Sequence, residues 1–157
     1  REEHPMNFKF DSSHIDWHQV RADPGFDEFK LGYDYSILGY DTKTGTLDMP
    51  MRWAGDGGHC ERHRHVGVTS TLVLEGEQHL DELRPDGSIG HKVRRAGDYA
   101  LSLGVEPPHL ERGGPDGGIV LLSMHTSNGL LFEVLDADLK VLLEVSIENF
   151  VARWDAR

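Results

Sequence analysis

Cysteine and long apolar runs are scarce in this chain of 157 residues. The one cysteine, Cys60, cannot form a disulfide within the chain, which suits a reducing compartment. No apolar run approaches the roughly 20 residues that a membrane-spanning helix needs, and the first residues show no signal-peptide pattern. We therefore expect a cytoplasmic protein that has no membrane partner.

Positive charge is also in short supply. The chain has 16 lysines and arginines against 27 aspartates and glutamates, which gives a formal net charge of −11. Nucleic acids and anionic membranes bind to basic surfaces, so this balance argues against both as partners. A small-molecule substrate is the partner that we expect.

Helical periodicity is nearly absent, and short strand-like segments with turn signals between them take its place. Leu47, Met49, Met51 and Trp53 alternate with other residues, as in a strand with one buried face. About ten such segments follow one another at the 8–12-residue spacing typical of a sandwich or barrel. The strand count alone leaves an immunoglobulin-like sandwich open.

Glycines and one serine provide the main boundary signals. Gly76 is predicted to end a buried strand that begins at Val68, and residues 113–118 are predicted to form a flexible turn. Ser146 is predicted to cap a short helix at the end of the chain. Residues 1–28 are predicted to form an N-terminal arm that packs on a neighbouring subunit or covers its own core.

The segment His63-Arg64-His65 is the first sign of chemistry. Residues two apart on a strand point to the same face, so the two imidazoles project side by side. Neutral imidazole is the commonest protein ligand for transition metals, and such a pair makes half of a metal site. The alternative is a solvated strand edge.

A second segment, running from Gly97 to His109, has a turn, a short strand and then a loop that ends in histidine. The Pro107-Pro108 pair restricts the backbone just before His109 and holds this histidine with little freedom. Two separate segments thus present histidines from stiff backbone.

Together these segments resemble the two motifs of the cupin superfamily. The residues that carry the resemblance are Gly57, His63, His65 and Gly76 in the first motif, and Gly97, Pro107, Pro108 and His109 in the second. The resemblance implies an all-β fold, a double-stranded β-helix or jelly-roll barrel, with the short C-terminal helix added. Residues 29–157 would form a single cupin domain.

The resemblance also implies a metal site with His63, His65 and His109 as ligands. Where most metal cupins have a glutamate ligand, this chain has Thr69 or Ser70, so the implied site has three histidines and no carboxylate. That pattern is similar to single-domain acetylacetone-cleaving and dihydroxyacetophenone-type dioxygenases. It implies one divalent transition metal per chain, with Fe(II) preferred and Zn, Ni or Mn as alternatives.

The implied activity is cleavage of a carbon–carbon bond in a small diketone or hydroxyketone by an Fe(II) dioxygenase that uses O₂. Glu61 is predicted to orient a ligand or contact the substrate; the alternative is a surface carboxylate paired with Arg62 or Arg64. The predicted substrate-binding residues are Met49, Met51, Trp53, Leu72, Leu101 and His125. Cupins commonly pair through edge strands, so we expect a homodimer or homotetramer.

Other functions stay open at this point. They are a non-redox metal-binding cupin such as a zinc sensor or ligand-binding module, an isomerase or hydrolase-like metal cupin, and a metal-free jelly roll. A structural zinc site would need a fourth protein ligand. The candidates for that ligand are Cys60, Glu61, Glu106 and His125. His79 and His91 are interpreted as surface or pocket-wall residues, and Lys92, Arg94 and Arg95 as a solvated strand edge.

Overall fold

The computed structural model describes residues 10–22 and 30–156, and the predicted boundary between an arm and a domain at residues 28 and 29 lies outside them. Within these two ranges the chain forms eleven strands and one α-helix. The strands are β1 (His18–Arg21), β2 (Gly32–Tyr35), β3 (Gly39–Asp41), β4 (Thr46–Trp53), β5 (His63–His65), β6 (Val68–Leu83), β7 (Ile89–Arg95), β8 (Tyr99–Ser102), β9 (His109–His125), β10 (Leu130–Leu135) and β11 (Val141–Ser146). A 3₁₀ turn (Ser12–His14) precedes β1, and the helix α1 (Ile147–Asp155) follows β11.

The strands form one curled antiparallel sheet that makes a half-barrel of the jelly-roll kind. Its main path runs β1-β2-β4-β9-β5-β10-β11, with β3 on β4, and with β7 and β8 joined through β6. Strand β9 is central, because it pairs with β4, β5 and β6. The all-β prediction is confirmed, and so is the short C-terminal helix, whose start Ser146 caps by accepting from the Asn149 amide.

The two longest strands bend at glycines. In β6, Gly76 has a φ of +61°, and the register with β9 shifts on either side of it. In β9, Gly117 has a φ of +84°. A Cβ added at Gly76 would lie 2.4 Å from the Gly117 carbonyl oxygen, so only glycine fits. The predictions that Gly76 ends a strand and that residues 113–118 form a turn are therefore wrong: these glycines are bulges that curve continuous strands.

The core fills the inside of the curled sheet. The predicted alternation in β4 is confirmed, since Leu47, Met49, Met51 and Trp53 are all buried. Tyr35 from β2 and Phe150 from α1 meet edge-on in this core, with ring centroids 5.3 Å apart. The helix thus closes the apolar side of the sheet.

The described part of the predicted arm lies on its own sheet. Strand β1 pairs with β2, and the Arg52 guanidinium sits 4.5 Å from the centroid of the Trp17 ring. Residues 1–9 and 23–28 of the predicted arm lie outside the described residues. Among the helices that the structure describes, none is long and apolar enough to cross a membrane.

Candidate metal centre

Three histidines converge at the junction of β5 and β9. His63 and His65 project from β5, and His109 opens β9 opposite His63 in the register. The ring centroid of His63 lies 5.0 Å from that of His65 and 4.4 Å from that of His109. The three histidines predicted as ligands are therefore side by side, on strands whose register positions them.

A carboxylate joins them. Glu111 lies two residues beyond His109 on β9, and its Oε1 is 2.6 Å from His109 Nε2, 3.2 Å from His63 Nε2 and 3.8 Å from His65 Nε2. One ligand atom from each of the four residues lies within 4.8 Å of the others. The expectation of a site without a carboxylate is wrong, because the carboxylate comes from β9 and not from the position of Thr69 or Ser70.

In His63, His65 and Glu111, the polar atom that points away from the cluster has a hydrogen-bond partner. His63 Nδ1 donates to the Glu61 backbone carbonyl at 2.6 Å, and His65 Nδ1 lies 3.2 Å from Thr69 Oγ1. Gln78 Nε2 donates to Glu111 Oε2 at 3.0 Å. Such partners set the direction in which a ligand atom points and which nitrogen carries the proton.

Glu61 contacts His63 through its backbone carbonyl and not through its carboxylate, and its role in orienting a ligand stays a prediction. The Glu61 carboxylate accepts a long hydrogen bond of 3.5 Å from the Tyr33 hydroxyl. Burial, together with the nearby charge of Glu61, raises the pKa of Tyr33 well above its usual range and keeps this phenol protonated. Arg64, one alternative partner, pairs with Glu133 at 2.9 Å instead.

Burial and neighbouring charge shift the pKa values of three of the four groups. Burial disfavours an ionised Glu111, but the charge of His109 and the histidine hydrogen bonds outweigh it and hold the pKa of this carboxyl well below its usual range. Burial lowers the pKa of His65 to about 4, so its imidazole is neutral at pH 7. Burial opposes charge on His63 too, yet the Glu111 carboxylate raises its pKa overall.

The donor set fits a divalent transition metal. His63 Nδ1 donates to a carbonyl, so its Nε2 is the nitrogen that faces the Glu111 carboxylate, at 3.2 Å. Either a proton on Nε2 or a bound cation satisfies this pair of groups, and a metal ion would take the place of the proton. Imidazole nitrogen and carboxylate oxygen together suit iron, zinc, manganese and nickel.

A small apolar cavity lies on one side of the cluster. Its volume is about 20 Å³, room for about one water molecule. Met49, Met51, Leu122 and Phe132 form much of its wall. This side of the cluster is packed interior.

A larger polar cavity of about 270 Å³ lies on the other side, between the cluster and strands β6, β7 and β8. His65, His109 and Glu111 form part of its wall. The remaining polar and charged side chains that line it are Thr69, Thr71, Gln78, Glu82, Lys92, Arg94, Ser102 and Glu106. This cavity is of a size for a small organic ligand, somewhat below the usual range for drug-sized ones.

The predicted substrate-binding residues fall in different places. Met49 and Met51 line the small cavity, and Leu101 lines the polar one. Trp53 is buried in the core, while Leu72 and His125 line neither cavity. The six residues therefore do not line one common cavity, and their role in substrate binding stays a prediction.

The four candidates for a closing ligand are not the residues that join the cluster. His125 lies at the far end of β9, where its Nδ1 is 3.4 Å from Thr46 Oγ1. Glu106 accepts from Ser102 and from loop amides, and Cys60 is buried in the wall of the small cavity. The alternation of residues on a strand, applied to His109, would have identified Glu111.

The predicted solvated edge on β7 also needs correction. Arg95 is indeed on the outer side, next to Glu77. Lys92 and Arg94 have the opposite parity and line the polar cavity. The Lys92 side chain is still 54% exposed, as predicted, whereas Arg94 is half-buried. His79 and His91 lie on the outer face with Asp81, which accepts from His91 Nδ1 at 2.7 Å, in agreement with their interpretation as surface residues.

No family model matches the sequence, and no curated protein matches it either. Solved structures are similar in fold. One is a candidate acetylacetone dioxygenase from Methylibium petroleiphilum PM1, with a TM-score of 0.66, 16% identity and 98% of both chains covered. Another is an acetylacetone dioxygenase from Acinetobacter johnsonii, with a TM-score of 0.65, 17% identity, and 99% of this chain and 95% of that chain covered.

A third similar structure is a cupin 2 conserved barrel domain protein from Rhodopseudomonas palustris. Its TM-score is 0.61 at 13% identity, with 80% of this chain and 81% of that chain covered. At these identities the likeness concerns the fold. The chain has the cupin fold that the two histidine motifs predicted.

Proposed function

We propose that this protein is an Fe(II)-dependent dioxygenase that cleaves a carbon–carbon bond in a small diketone or hydroxyketone. The observation that carries the proposal is the position of the cluster: His65, His109 and Glu111 form one wall of a cavity of about 270 Å³. A purely structural metal site needs no such space beside it. The similarity to two structures described as acetylacetone dioxygenases, over nearly the whole chain, supports the same reaction class.

His63, His65, His109 and Glu111 would hold the ion. A bound Fe(II) would supply Lewis acidity toward the substrate oxygens and the redox chemistry with O₂. The polar cavity would give small molecules access to an ion held by these residues.

The chain's own residues have three tasks in this proposal. Glu61 and Thr69 fix the directions of two imidazoles, as their contacts with Nδ1 indicate. Gln78 holds the outer oxygen of Glu111 and so keeps its inner oxygen toward the histidines. The packed apolar wall around Met51 excludes bulk water from the other side of the cluster.

Oxygen uptake tests this proposal. The purified protein is loaded with Fe(II), and oxygen consumption is followed with acetylacetone and a panel of small diketones and hydroxyketones. We expect substrate-dependent uptake that disappears in His109→Ala and persists in the outer-face control His91→Ala. Tight iron binding without uptake for any substrate would refute the dioxygenase proposal.

A non-redox zinc site is the second candidate, and one observation favours it. Three histidines and one carboxylate provide four ligands, the number that zinc takes in closed structural sites. The two functions are separated by the metal that the protein retains. Zinc held through dialysis against excess Fe(II), with no oxygen uptake, would favour the second.

A further inference from the structure

Arg94 stands out among the charged residues of the polar cavity. The other cation there, Lys92, pairs with Glu82 at 2.6 Å. Arg94 donates from Nη1 to Gln78 Oε1 at 3.1 Å and has no carboxylate partner among the residues that the structure describes. A guanidinium presents five donors in a planar fork, so most of its donors remain for a ligand.

The Arg94 side chain is close to the cluster as well as to the cavity. Gln78 bridges the two, since its Oε1 accepts from Arg94 and its Nε2 donates to Glu111 at 3.0 Å. Adding the 3.1 Å and 3.0 Å of these contacts to the roughly 2.3 Å across an amide group places Arg94 Nη1 no more than about 8.4 Å from Glu111 Oε2. A small ligand with about five carbon atoms in a row would span most of the distance between Arg94 and Glu111.

The charge of the cavity also favours an anion once a metal is present. Two cations, Lys92 and Arg94, and three carboxylates, Glu82, Glu106 and Glu111, face it. A divalent ion on the cluster turns a net single negative charge into a net single positive one. A ligand with one carboxylate then balances the cavity.

We propose that Arg94 binds a carboxylate group of the substrate, so that the site takes a small oxo acid whose ketone oxygens face the cluster. The inference rests on the proposed function and narrows its substrate class from neutral diketones to those that carry a carboxylate. The pairing would be the two-pronged one between guanidinium and carboxylate, which gives orientation as well as affinity. A neutral diketone leaves the fork of Arg94 unused.

The test compares two probes that differ by a carboxylate, acetylacetone and 2,4-dioxopentanoate. Their binding is measured by titration calorimetry on protein loaded with Zn²⁺, which permits binding without turnover. We expect the wild-type chain to bind 2,4-dioxopentanoate at least about tenfold more tightly than acetylacetone. Arg94→Gln should abolish this difference, because it should weaken the binding of 2,4-dioxopentanoate and leave that of acetylacetone unchanged. Arg94→Lys should retain part of the difference.

Arg95→Gln is the matched control, because it makes the same charge change one residue along β7 on the outer face. It should bind both probes as the wild-type does. Equal binding of the two probes by the wild-type chain, or an equal loss of both in Arg94→Gln, overturns the proposal. Reduced zinc content in Arg94→Gln also overturns it, since Arg94 would then act by positioning Glu111 through Gln78.

The failure of this inference is distinguishable from the failure of the proposed function. Absence of oxygen uptake by the iron-loaded protein refutes the dioxygenase and leaves the calorimetric preference intact. If the wild-type protein retains no zinc, the same titrations are made on the metal-free protein. A loss of 2,4-dioxopentanoate binding in Arg94→Gln, but not in Arg95→Gln, would still support the carboxylate site. No dependence on Arg94 in that titration refutes it.

Discussion

The two sides of the histidine cluster differ in volume and in chemistry. On one side, Met49, Met51 and Phe132 enclose about 20 Å³, and on the other, polar and charged residues enclose about 270 Å³. His65 and Glu111 line both spaces, whereas His63 lines only the small one and His109 only the large one. The packed apolar side therefore holds the cluster in place, whereas the polar side has the space for a ligand.

This division changes what the residues on each side are expected to do. Substitutions on the apolar side should reduce the free energy of unfolding and leave ligand binding to the folded chain largely unchanged. Substitutions on the polar side should mainly change ligand or metal binding, and should lower the free energy of unfolding by no more than about 1 kcal/mol, even where they remove a hydrogen bond. Each of the following experiments tests that division, beginning with the largest expected effect.

Met51→Ala removes a side chain that is 5% exposed and lies in the apolar wall. We expect the free energy of unfolding to fall by about 2–5 kcal/mol, because the substitution leaves a void beside the cluster. Urea denaturation measures this change. Leu101→Ala is the control on the polar side, where the side chain is 53% exposed, and it should change stability by less than about 0.5 kcal/mol. Equal losses in the two variants would contradict the division.

Gln78→Leu tests the support of Glu111 from the polar side. Gln78 is 1% exposed, and its amide is the donor to Glu111 Oε2. Loss of this support should weaken metal binding by about 10- to 100-fold, as competition with a fluorescent chelator would show. Gln19→Leu, on the exposed face of β1, serves as the control. Unchanged affinity in Gln78→Leu would show that Glu111 needs no such support.

Thr69→Val tests the contact with His65. Thr69 Oγ1 lies 3.2 Å from His65 Nδ1, and valine has the same shape without the hydroxyl. We expect metal affinity to fall by up to about tenfold, the lower end of the range for residues that support ligands. Thr71→Val, two residues along the same strand and also in the cavity wall, should retain the affinity of the wild type. A similar loss in both variants would place the effect in the cavity wall as a whole.

Glu106→Gln should have the smallest effect, and that effect depends on pH. Burial opposes charge on Glu106, but the Ser102 hydroxyl and the loop amides of Leu103 and Val105 outweigh it and lower its pKa to about 2. Because the folded-state pKa lies below the ordinary value, the stabilisation is present above about pH 4.5 and is lost as the pH falls toward 2. We expect a loss of about 1 kcal/mol in unfolding free energy at pH 7.

Denaturation of wild-type and Glu106→Gln protein at a series of pH values measures that dependence. The difference in unfolding free energy between the two proteins should shrink as the pH falls from about 4.5 toward about 2. A difference that stays constant with pH would mean that the ionised carboxylate is not what stabilises the loop.

The sequence predicted what depends on local alternation. The shared face of His63 and His65 and the buried face of β4 follow from the two-residue repeat of a strand. Glu111 follows from the same repeat, but His109 was interpreted as the end of a loop and not as the first residue of β9. The prediction therefore stopped two residues short of the carboxylate.

Features that depend on distant parts of the chain could not be predicted. Gly76 is a bulge because the Gly117 carbonyl lies against it, and nothing near Gly76 in the sequence shows that neighbour. Arg94 faces the cavity because β7 pairs with β6 in the register that sets Arg94 opposite Gln78. Without that register, a basic run resembles an exposed edge.

The metal content of Glu111→Ala, measured against the wild type, tests the central claim most directly. The protein is purified without chelators, and bound iron, zinc, manganese and nickel are measured by mass spectrometry, with Glu106→Ala as the control carboxylate in the cavity wall. We predict about one divalent ion per chain in the wild type and in Glu106→Ala, and a loss of most of it in Glu111→Ala. Full retention of the metal in Glu111→Ala, or no metal in the wild type, would contradict the account.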